Sequence, residues 1–489
     1  MTGPCEILTT EEARAADRAA ERSGIAGRTL LENAGAAVAK AVAERFEPAP
    51  VLVLCGPGLN GGDGYVAACE LRRRGWPVRV AALAEPTAGD AADARRAWDA
   101  PVEPLARDPH DARIVIDALF GAGLARPLAG PALAALEACE ARRLPIVAVD
   151  LPSGLPGDGA QPLGYAPKCR LTVTFHRKKP AHVLHPARTW CGETVVADIG
   201  IPASATPQVK LWESGPDLWL DRFPWPAIDA HKHARGRLGV VSGGLSHTGA
   251  ARMAARAGLR AGAGLVKLFC PMDAVALNAA GLEAVMLQGF SDDQALGEAA
   301  AAMDAAVIGP AAGVDEATAA NLFALAKTGA ALVVDADALT VFRADPTELF
   351  AVLDRDDVLT PHVGEFERVF PGLLAESPDR IAAVRAAAAK AETVVLLKGP
   401  DTVVAAPDGR ASINATTSRW LATAGSGDVL AGIIGGLIAQ GMGSFEAASA
   451  GVWLHGAASL HAGPGLIAED LPELLPRVLR ELYDQAGRP

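Results

Sequence analysis

Short β-branched runs alternate with Ala-, Leu- and Arg-rich stretches along almost the whole chain, and the alternation breaks once. The first series is "APVLVLCG", "PVRVAAL", "ARIVIDALF", "LPIVAVDLP" and "RLTVTFH". Runs that are apolar at consecutive positions, with helical segments between them, describe parallel strands covered on both faces. Two helices are expected ahead of the first strand, "TTEEARAADRAAERSG" and "AGRTLLENAGAAVAKAVAERF", with Thr10 before Glu11 and Glu12 as a start signal. From about residue 200 to 230 neither period persists, and Pro, Trp and polar residues dominate. The alternation then restarts with "GRLGVVSGG", "LVKLFCP", "AAVIGP", "ALVVDADAL", "DVLTPH" and "TVVLLKG". It ends in "TVVAAPDGRASIN", whose Asp408-Gly409 reads as the turn of a hairpin. The expectation is two α/β domains over residues 1–212 and 229–489, with a linker over 213–228. A chain of 489 residues that is 50% hydrophobic has the length and apolar content for two cores.

Composition excludes several classes. A net charge of -12 argues against a nucleic-acid binder that works by bulk positive charge. The basic clusters "LRRRG" and "FHRKKPAH" are short, and read as a solvated helix end or the rim of an anion site. Seven scattered cysteines with no CxxC pair point to a reduced, cytoplasmic protein without a disulfide frame or zinc site. The start "MTGPCEILTTEEARAADRAA" has no apolar signal core. "VLAGIIGGLIAQGMG" is too short and glycine-rich for a membrane span and reads as a buried helix.

Three loops at strand ends carry the chemistry of the first domain. "CGPGLNGGDG" opens a helix, and its glycines permit tight turns and close approach of amides to an anion. "IDALFGAGL" places Asp117 at a strand end, and "AVDLPSG" places Asp150 and Ser153 at another. In an open parallel sheet such loops share one rim. The oxygens of Asn60, Asp117 and Ser153 would suit a monovalent cation, and Asp150 is a candidate proton carrier.

These loops resemble the YjeF N-terminal family, the NAD(P)H-hydrate epimerases, over about residues 8 to 205. The family interconverts the R and S forms of hydrated NADH or NADPH. The resemblance implies a Rossmann-like three-layer α/β/α fold. It matches Asn60, Asp117 and Ser153 to potassium ligands. It matches Leu59, Asn60, Gly61, Gly62 and Asp63, then Gly121, Ala122, Gly123, Leu124, Ala125, Arg126 and Pro127, to substrate contacts, with Asp150 as substrate contact and catalytic residue. Leu59 stands where the family's first motif has Asn, and "PGDGAQPLG" is extra.

In the second domain "AGSGDVLAGIIGGLIAQG" is the strongest signal. A Gly-Ser-Gly-Asp turn opens a long apolar helix. Its amides and the helix dipole can hold charge on a transferring phosphoryl group, and Asp428 can take a proton from an attacking hydroxyl. "VSGGLSHTGA", "AAVIGPAAGVD", "TPHVGEF" and "VLLKGPDTVVA" precede it. This order resembles the ribokinase-like superfamily and, more closely, the YjeF C-terminal family of ADP- or ATP-dependent NAD(P)H-hydrate dehydratases, over about residues 225 to 485. The resemblance implies that Ala250, Gly309, His362 and Asp428 contact the hydrate, with Asp428 as base. It also implies that Lys398, Gly399, Pro400, Asp401 and Thr402, with Gly425, Ser426 and Gly427, hold the nucleotide. "GPAAG" replaces the family's usual "GPGLG", so Ala311 and Ala312 add methyl groups there.

Together the two halves imply a bifunctional repair enzyme. It uses K⁺ in the first domain, and Mg²⁺ with ADP as phosphoryl donor in the second, and it forms a homo-oligomer without a nucleic-acid or membrane partner. One competing reading is a small-molecule kinase with the same turn chemistry. Another is a first domain that serves only for binding or oligomerisation.

Overall fold

The computed structural model describes residues 5–106 and 108–487, and the chain divides between Val209 and Lys210 into two compact units. In the first, helices Thr10–Arg22 and Gly27–Arg45 precede the sheet. Thr9, one residue before the expected signal, caps the first helix: its hydroxyl accepts from Glu12 N, and the Glu12 carboxylate accepts from Thr9 N. The strands are β1 (Val51–Cys55), β2 (Val78–Ala82), β3 (Val102–Pro104), β4 (Ile114–Ala118), β5 (Ile146–Val149), β6 (Leu171–Phe175) and β7 (Glu193–Ala197). They pair in the order β3-β2-β1-β4-β5-β6-β7, all parallel. β1, β4 and β5 are buried at every position; β1 and β5 are unbroken apolar runs, and β4 is broken only by Asp117. The strand order reverses between β1 and β4, the point where a parallel sheet opens a crevice at its carboxyl edge.

The second unit holds β8 (Leu211–Glu213), β9 (Arg237–Val241), β10 (Leu265–Pro271), β11 (Met286–Phe290), β12 (Ala305–Ile308), β13 (Ala331–Val334), β14 (Val358–Leu359), β15 (Val394–Leu397), β16 (Thr402–Ala405) and β17 (Ala411–Asn414). Their order is β11-β10-β9-β12-β13-β14-β15-β16-β17-β8. Pairing is parallel from β11 to β15, and β16 and β17 form the expected antiparallel hairpin. Gly409 at its turn has φ +85°, where a side chain would be strained.

The stretch expected to be a linker over 213–228 is instead folded into this unit. β8 adds to the sheet beside β17, and Pro216–Trp219 is a short helix. Trp219 is buried in the core, its ring 5.8 Å from Phe223 and 5.7 Å from Trp453. The segment lacks periodicity because isolated aromatics anchor it, where an amphipathic face would leave a repeating pattern.

"VLAGIIGGLIAQGMG" is a buried helix, as expected: Ser426–Ala439 is covered from Val429 to its end. It packs against Gly249–Arg260. A Cβ at Gly432 would overlap the Ala254 carbonyl, and one at Gly436 would lie 2.7 Å from the Gly258 carbonyl. That register runs the two helices in the same direction, which sets their N termini, carrying Ala250 and Gly425, at one end.

Candidate functional site

At the carboxyl edge of the first sheet lies a cleft of about 890 Å³. Leu59, Asn60, Asp63, Asp150 and the loop from Gly121 to Arg126 line it; Gly61, Gly62 and Pro127 do not. The helix Leu59–Arg73 starts at the cleft, so its first amides lack intrahelical partners there. Its glycines serve packing as much as ligand approach. A Cβ at Gly61 would overlap the Gly56 carbonyl, and one at Gly64 would sit 2.5 Å from Ala118 Cβ. Leu59 is 65% exposed at the helix start.

Asp150 follows β5 with φ +65°, a conformation that costs free energy in a non-glycine residue. Its surroundings hold it there. Asp150 Oδ1 accepts from Lys179 Nζ at 2.7 Å and Thr174 Oγ1 at 3.0 Å, and Oδ2 accepts from Ala122 N at 3.0 Å. His182 Nδ1 accepts from Lys179 N at 2.9 Å, which leaves Nε2–H to donate to the Asp150 carbonyl at 2.8 Å. Burial and the neighbouring Lys179 keep that imidazole neutral, with its pKa down at about 4. Burial works against the Asp150 charge, but the Lys179 ammonium and these hydrogen bonds outweigh it and hold the pKa at about 2. Asp150 is therefore a fixed anion at neutral pH.

Asp117 and Ser153, both fully buried, lie beneath the cleft. Asp117 accepts from Ser153 Oγ at 2.7 Å, Ser153 N at 2.8 Å and Leu119 N at 3.3 Å. No cationic side chain pairs with it among the described residues, and burial pushes its pKa up to about 6 against those hydrogen bonds. Asn60 Oδ1 stands beside Gly121 on the Asp150 side: a Cβ at Gly121 would lie 3.0 Å from Asn60 Oδ1 and 2.9 Å from Asp150 Oδ2. The Asn60 amide nitrogen is buried without a partner among the described residues. One uncompensated carboxylate, a hydroxyl and the Asn60 amide oxygen are the atoms that would fit a monovalent cation better than a divalent one; the Asn60 nitrogen is a donor and takes no part.

The sequence reading missed Lys179, having treated "FHRKKPAH" as a rim or solvated cluster. Lys179 is 5% exposed and part of the cleft wall. Burial of the second lysine of a pair leaves no local sequence mark. "LRRRG" does end a helix with exposed arginines.

In the second unit the expected residues gather at the carboxyl ends of β9 and β12 to β15. Gly425, at φ +87°, caps the helix Ser426–Ala439, and Ser426 Oγ donates back to Leu421 and Thr423 carbonyls at 2.9 and 3.0 Å. Beneath this turn, Lys398 Nζ lies 2.7 Å from Asp335 Oδ1 and 3.7 Å from Glu365 Oε2. A Cβ at Gly427 would be 3.4 Å from that ammonium. Burial, then Asp335, raises the Asp428 pKa to about 6, although Lys398 opposes this. Asp335, nearly fully buried, was not singled out from "ALVVDADAL".

His362 Nδ1 accepts from Gly364 N at 2.9 Å, and Glu365 Oε2 accepts from His362 N at 2.8 Å, so His362 caps the helix Val363–Val369. The side chain stays 54% exposed, so capping leaves it open to a ligand. The Lys398–Thr402 loop divides. Lys398 turns to carboxylates, Asp401 and Thr402 are buried, and Thr402 Oγ1 donates to the Gly399 carbonyl at 2.9 Å. Gly399 is half-buried, its N–H donating to Thr402 Oγ1 at 3.2 Å, and Pro400 is exposed. Gly309, at φ +120°, packs against the Asp335 carbonyl, and Ala311 holds φ +53° without the freedom of glycine. Asp337 Oδ2 accepts from Gly313 N at 3.0 Å, tying that loop to β13.

Two family models match the chain: the YjeF-related protein N-terminus over residues 27–181, and NAD(P)H-hydrate dehydratase over 238–477. A bifunctional NAD(P)H-hydrate repair enzyme of Thermofilum pendens is 33% identical over 98% of this chain and 97% of its own. One from Pyrobaculum aerophilum is 36% identical over 97% of this chain and 98% of its own. Among solved structures, a ribokinase-like superfamily protein of Enterococcus faecalis superposes with a TM-score of 0.50 at 23% identity, covering 56% of this chain and 98% of its own. That likeness concerns the fold of the second unit. The cleft at the first sheet and the Gly-Ser-Gly-Asp turn of the second thus occur together in one chain, which belongs to the family of bifunctional NAD(P)H-hydrate repair enzymes.

Proposed function

We propose that the first unit epimerises hydrated NADH and NADPH and that the second dehydrates the S form at the expense of ADP, yielding AMP and phosphate. The observation that carries this reading is the co-occurrence of the two sites, because dehydration of S alone would strand the R form.

In the second unit Asp428 takes the proton of the C6 hydroxyl as its oxygen attacks the terminal phosphorus of ADP and the bond to AMP breaks. The first amides of the helix Ser426–Ala439 face the charge gathering on the phosphoryl oxygens. The new C6–O phosphate bond then breaks, with the N1 lone pair forming N1=C6, and loss of a C5 proton restores the dihydronicotinamide. Lys398 holds Asp335 and keeps the carboxylate cluster from raising the Asp428 pKa further. Mg²⁺ would neutralise phosphate charge. Among the described residues no three His, Cys, Asp or Glu side chains form a metal site, so the ion is expected to arrive on the nucleotide. Gly399, Pro400 and Gly427 would line the nucleotide; Ala250, Gly309 and His362 would meet the hydrate.

In the first unit Asn60, Asp117 and Ser153 would hold K⁺, which supplies positive charge beside the cleft. Asp150, ionised, would face the ring as positive charge develops on it. Seven cysteines, with no disulfide among the described residues, suit a reducing compartment such as the cytoplasm, and among the described residues no helix is long and apolar enough to cross a membrane. A homo-oligomer is proposed from the resemblance.

The test is conversion of isolated S-NADHX by the full chain with Mg²⁺ and ADP or ATP. Formation of NADH and AMP supports the reading. A stable phosphorylated product would favour the kinase alternative.

A further inference from the structure

Of the carboxylates that line the first cleft, Asp63 combines burial with the lack of a partner; Asp17 and Glu21 are exposed and Asp90 is half-buried. Asp63 is 8% exposed and lines the cavity, yet its carboxyl group has no hydrogen bond and no ion pair among the described residues. Asp150, by contrast, takes three donors, and Asp117 takes three. A carboxyl group in so buried a residue, open only to the cleft and given no donor by the protein, is disfavoured as an anion and is available to a ligand there. The charged groups that act on it are both acidic, Asp150 and Asp17, and the Lys179 ammonium is taken up by Asp150 and Thr174. Burial first, and then these two like charges, push the Asp63 pKa well above the ordinary carboxylate range. The cleft therefore holds two carboxyl groups driven in opposite directions, Asp150 toward the anion and Asp63 toward the protonated form, and such a divergence separates the acid from the anion in a proton-transfer site.

We infer that Asp63 is the general acid of epimerisation, protonating the hydroxyl that leaves C6 of the hydrated nicotinamide. This rests on the epimerase reading above and assigns the proton transfer to Asp63 rather than to Asp150. The C6–O bond breaks with its electron pair on oxygen, the Asp63 proton completes a water molecule, and the N1 lone pair forms N1=C6. The planar cation lies against the Asp150 carboxylate. Water then adds to C6, the N1=C6 π pair returns to N1, and the proton lost by that water restores the Asp63 carboxyl. Addition to the opposite face gives the other epimer, and the hydroxyl oxygen exchanges with solvent.

The experiment uses the full chain and R-NADHX in H₂¹⁸O, following both epimerisation and ¹⁸O incorporation. If wild type accelerates neither, the epimerase reading itself fails. If it does, Asp63→Asn is expected to lower kcat for both by about 100-fold or more, the scale of lost general acid catalysis. KM should stay within about threefold, and Asp63→Glu should recover part of the rate. Dehydration of S-NADHX by the second unit should be unchanged in both variants. An Asp63→Asn protein with kcat within about threefold of wild type, or one in which only KM rises, overturns the assignment. Should Asp63→Asn not keep the first unit's unfolding transition, Asp63→Ser replaces it. The wild-type pH profile then reads the same acid: kcat should fall as rising pH removes a proton, and a rate that rises across that limb overturns it.

Discussion

Lys179 Nζ and Asp150 Oδ1 form a buried ion pair at 2.7 Å, and the lysine reaches it from the turn after β6 while the aspartate sits at the end of β5. Removing one partner of such a pair leaves the other charge buried and alone. Lys179→Met should destabilise the first unit by about 3–5 kcal/mol and raise the Asp150 pKa from about 2. The double variant with Asp150→Asn should regain part of that stability. Unfolding of the three variants in urea checks both statements.

Asp117 carries the opposite shift, and its sign gives a potassium prediction. Its folded pKa, about 6, lies above the ordinary value, so folding favours the protonated form. The native state is therefore penalised as pH rises from about 4 to 6, by about 3 kcal/mol in all. A cation bound to ionised Asp117 relieves that penalty. KCl should raise the Tm of the first unit above that in choline chloride at equal ionic strength, more at pH 8 than at pH 5. Asp117→Asn should abolish the difference.

Asp428 must be ionised to accept a proton, and its pKa is raised to about 6. Dehydration should rise with pH through a limb near that value. Lys398→Met removes the cation that opposes the shift, so the limb should move to higher pH. Asp428→Asn should lose about 10²–10⁴-fold in kcat, the usual range for an acid or base. A pH–rate series on the three proteins checks this.

Trp219 tests where the second unit begins. Its side chain is almost fully buried between Phe223 and Trp453. Trp219→Ala should destabilise the second unit by about 3–5 kcal/mol. A true linker residue would move the transition by less than about 0.5 kcal/mol, and calorimetry separates the two.

The inner strands of both sheets were legible as largely apolar runs, whereas the edge strands β3, β7, β8 and β11 carry no such run and were missed. The glycine turns before Leu59 and Ser426 were legible because glycine there is a steric requirement. Asp117, Asp150 and Asp428 stood out because each lies at the end of such a strand or turn. Lys179 and Asp335 did not. Their partners, Asp150 and Lys398, lie 29 and 63 positions away in the chain, and pairing at that distance leaves no local pattern. Nor could the sequence distinguish Asp63 from Asp150, because it shows neither the donors that saturate one nor the lack of them at the other. Trp219 was misplaced for a related reason: a single aromatic anchor has no period.

The central claim is that both halves act on one damaged cofactor. The direct measurement is the return of reduced-nicotinamide absorbance from a prepared mixture of R- and S-NADHX, with Mg²⁺, K⁺ and either ADP or ATP. The account predicts complete recovery, faster than spontaneous epimerisation allows, with ADP as the effective donor. Recovery that stops when the S form is consumed would contradict the epimerase half, and no recovery with either nucleotide would contradict the whole.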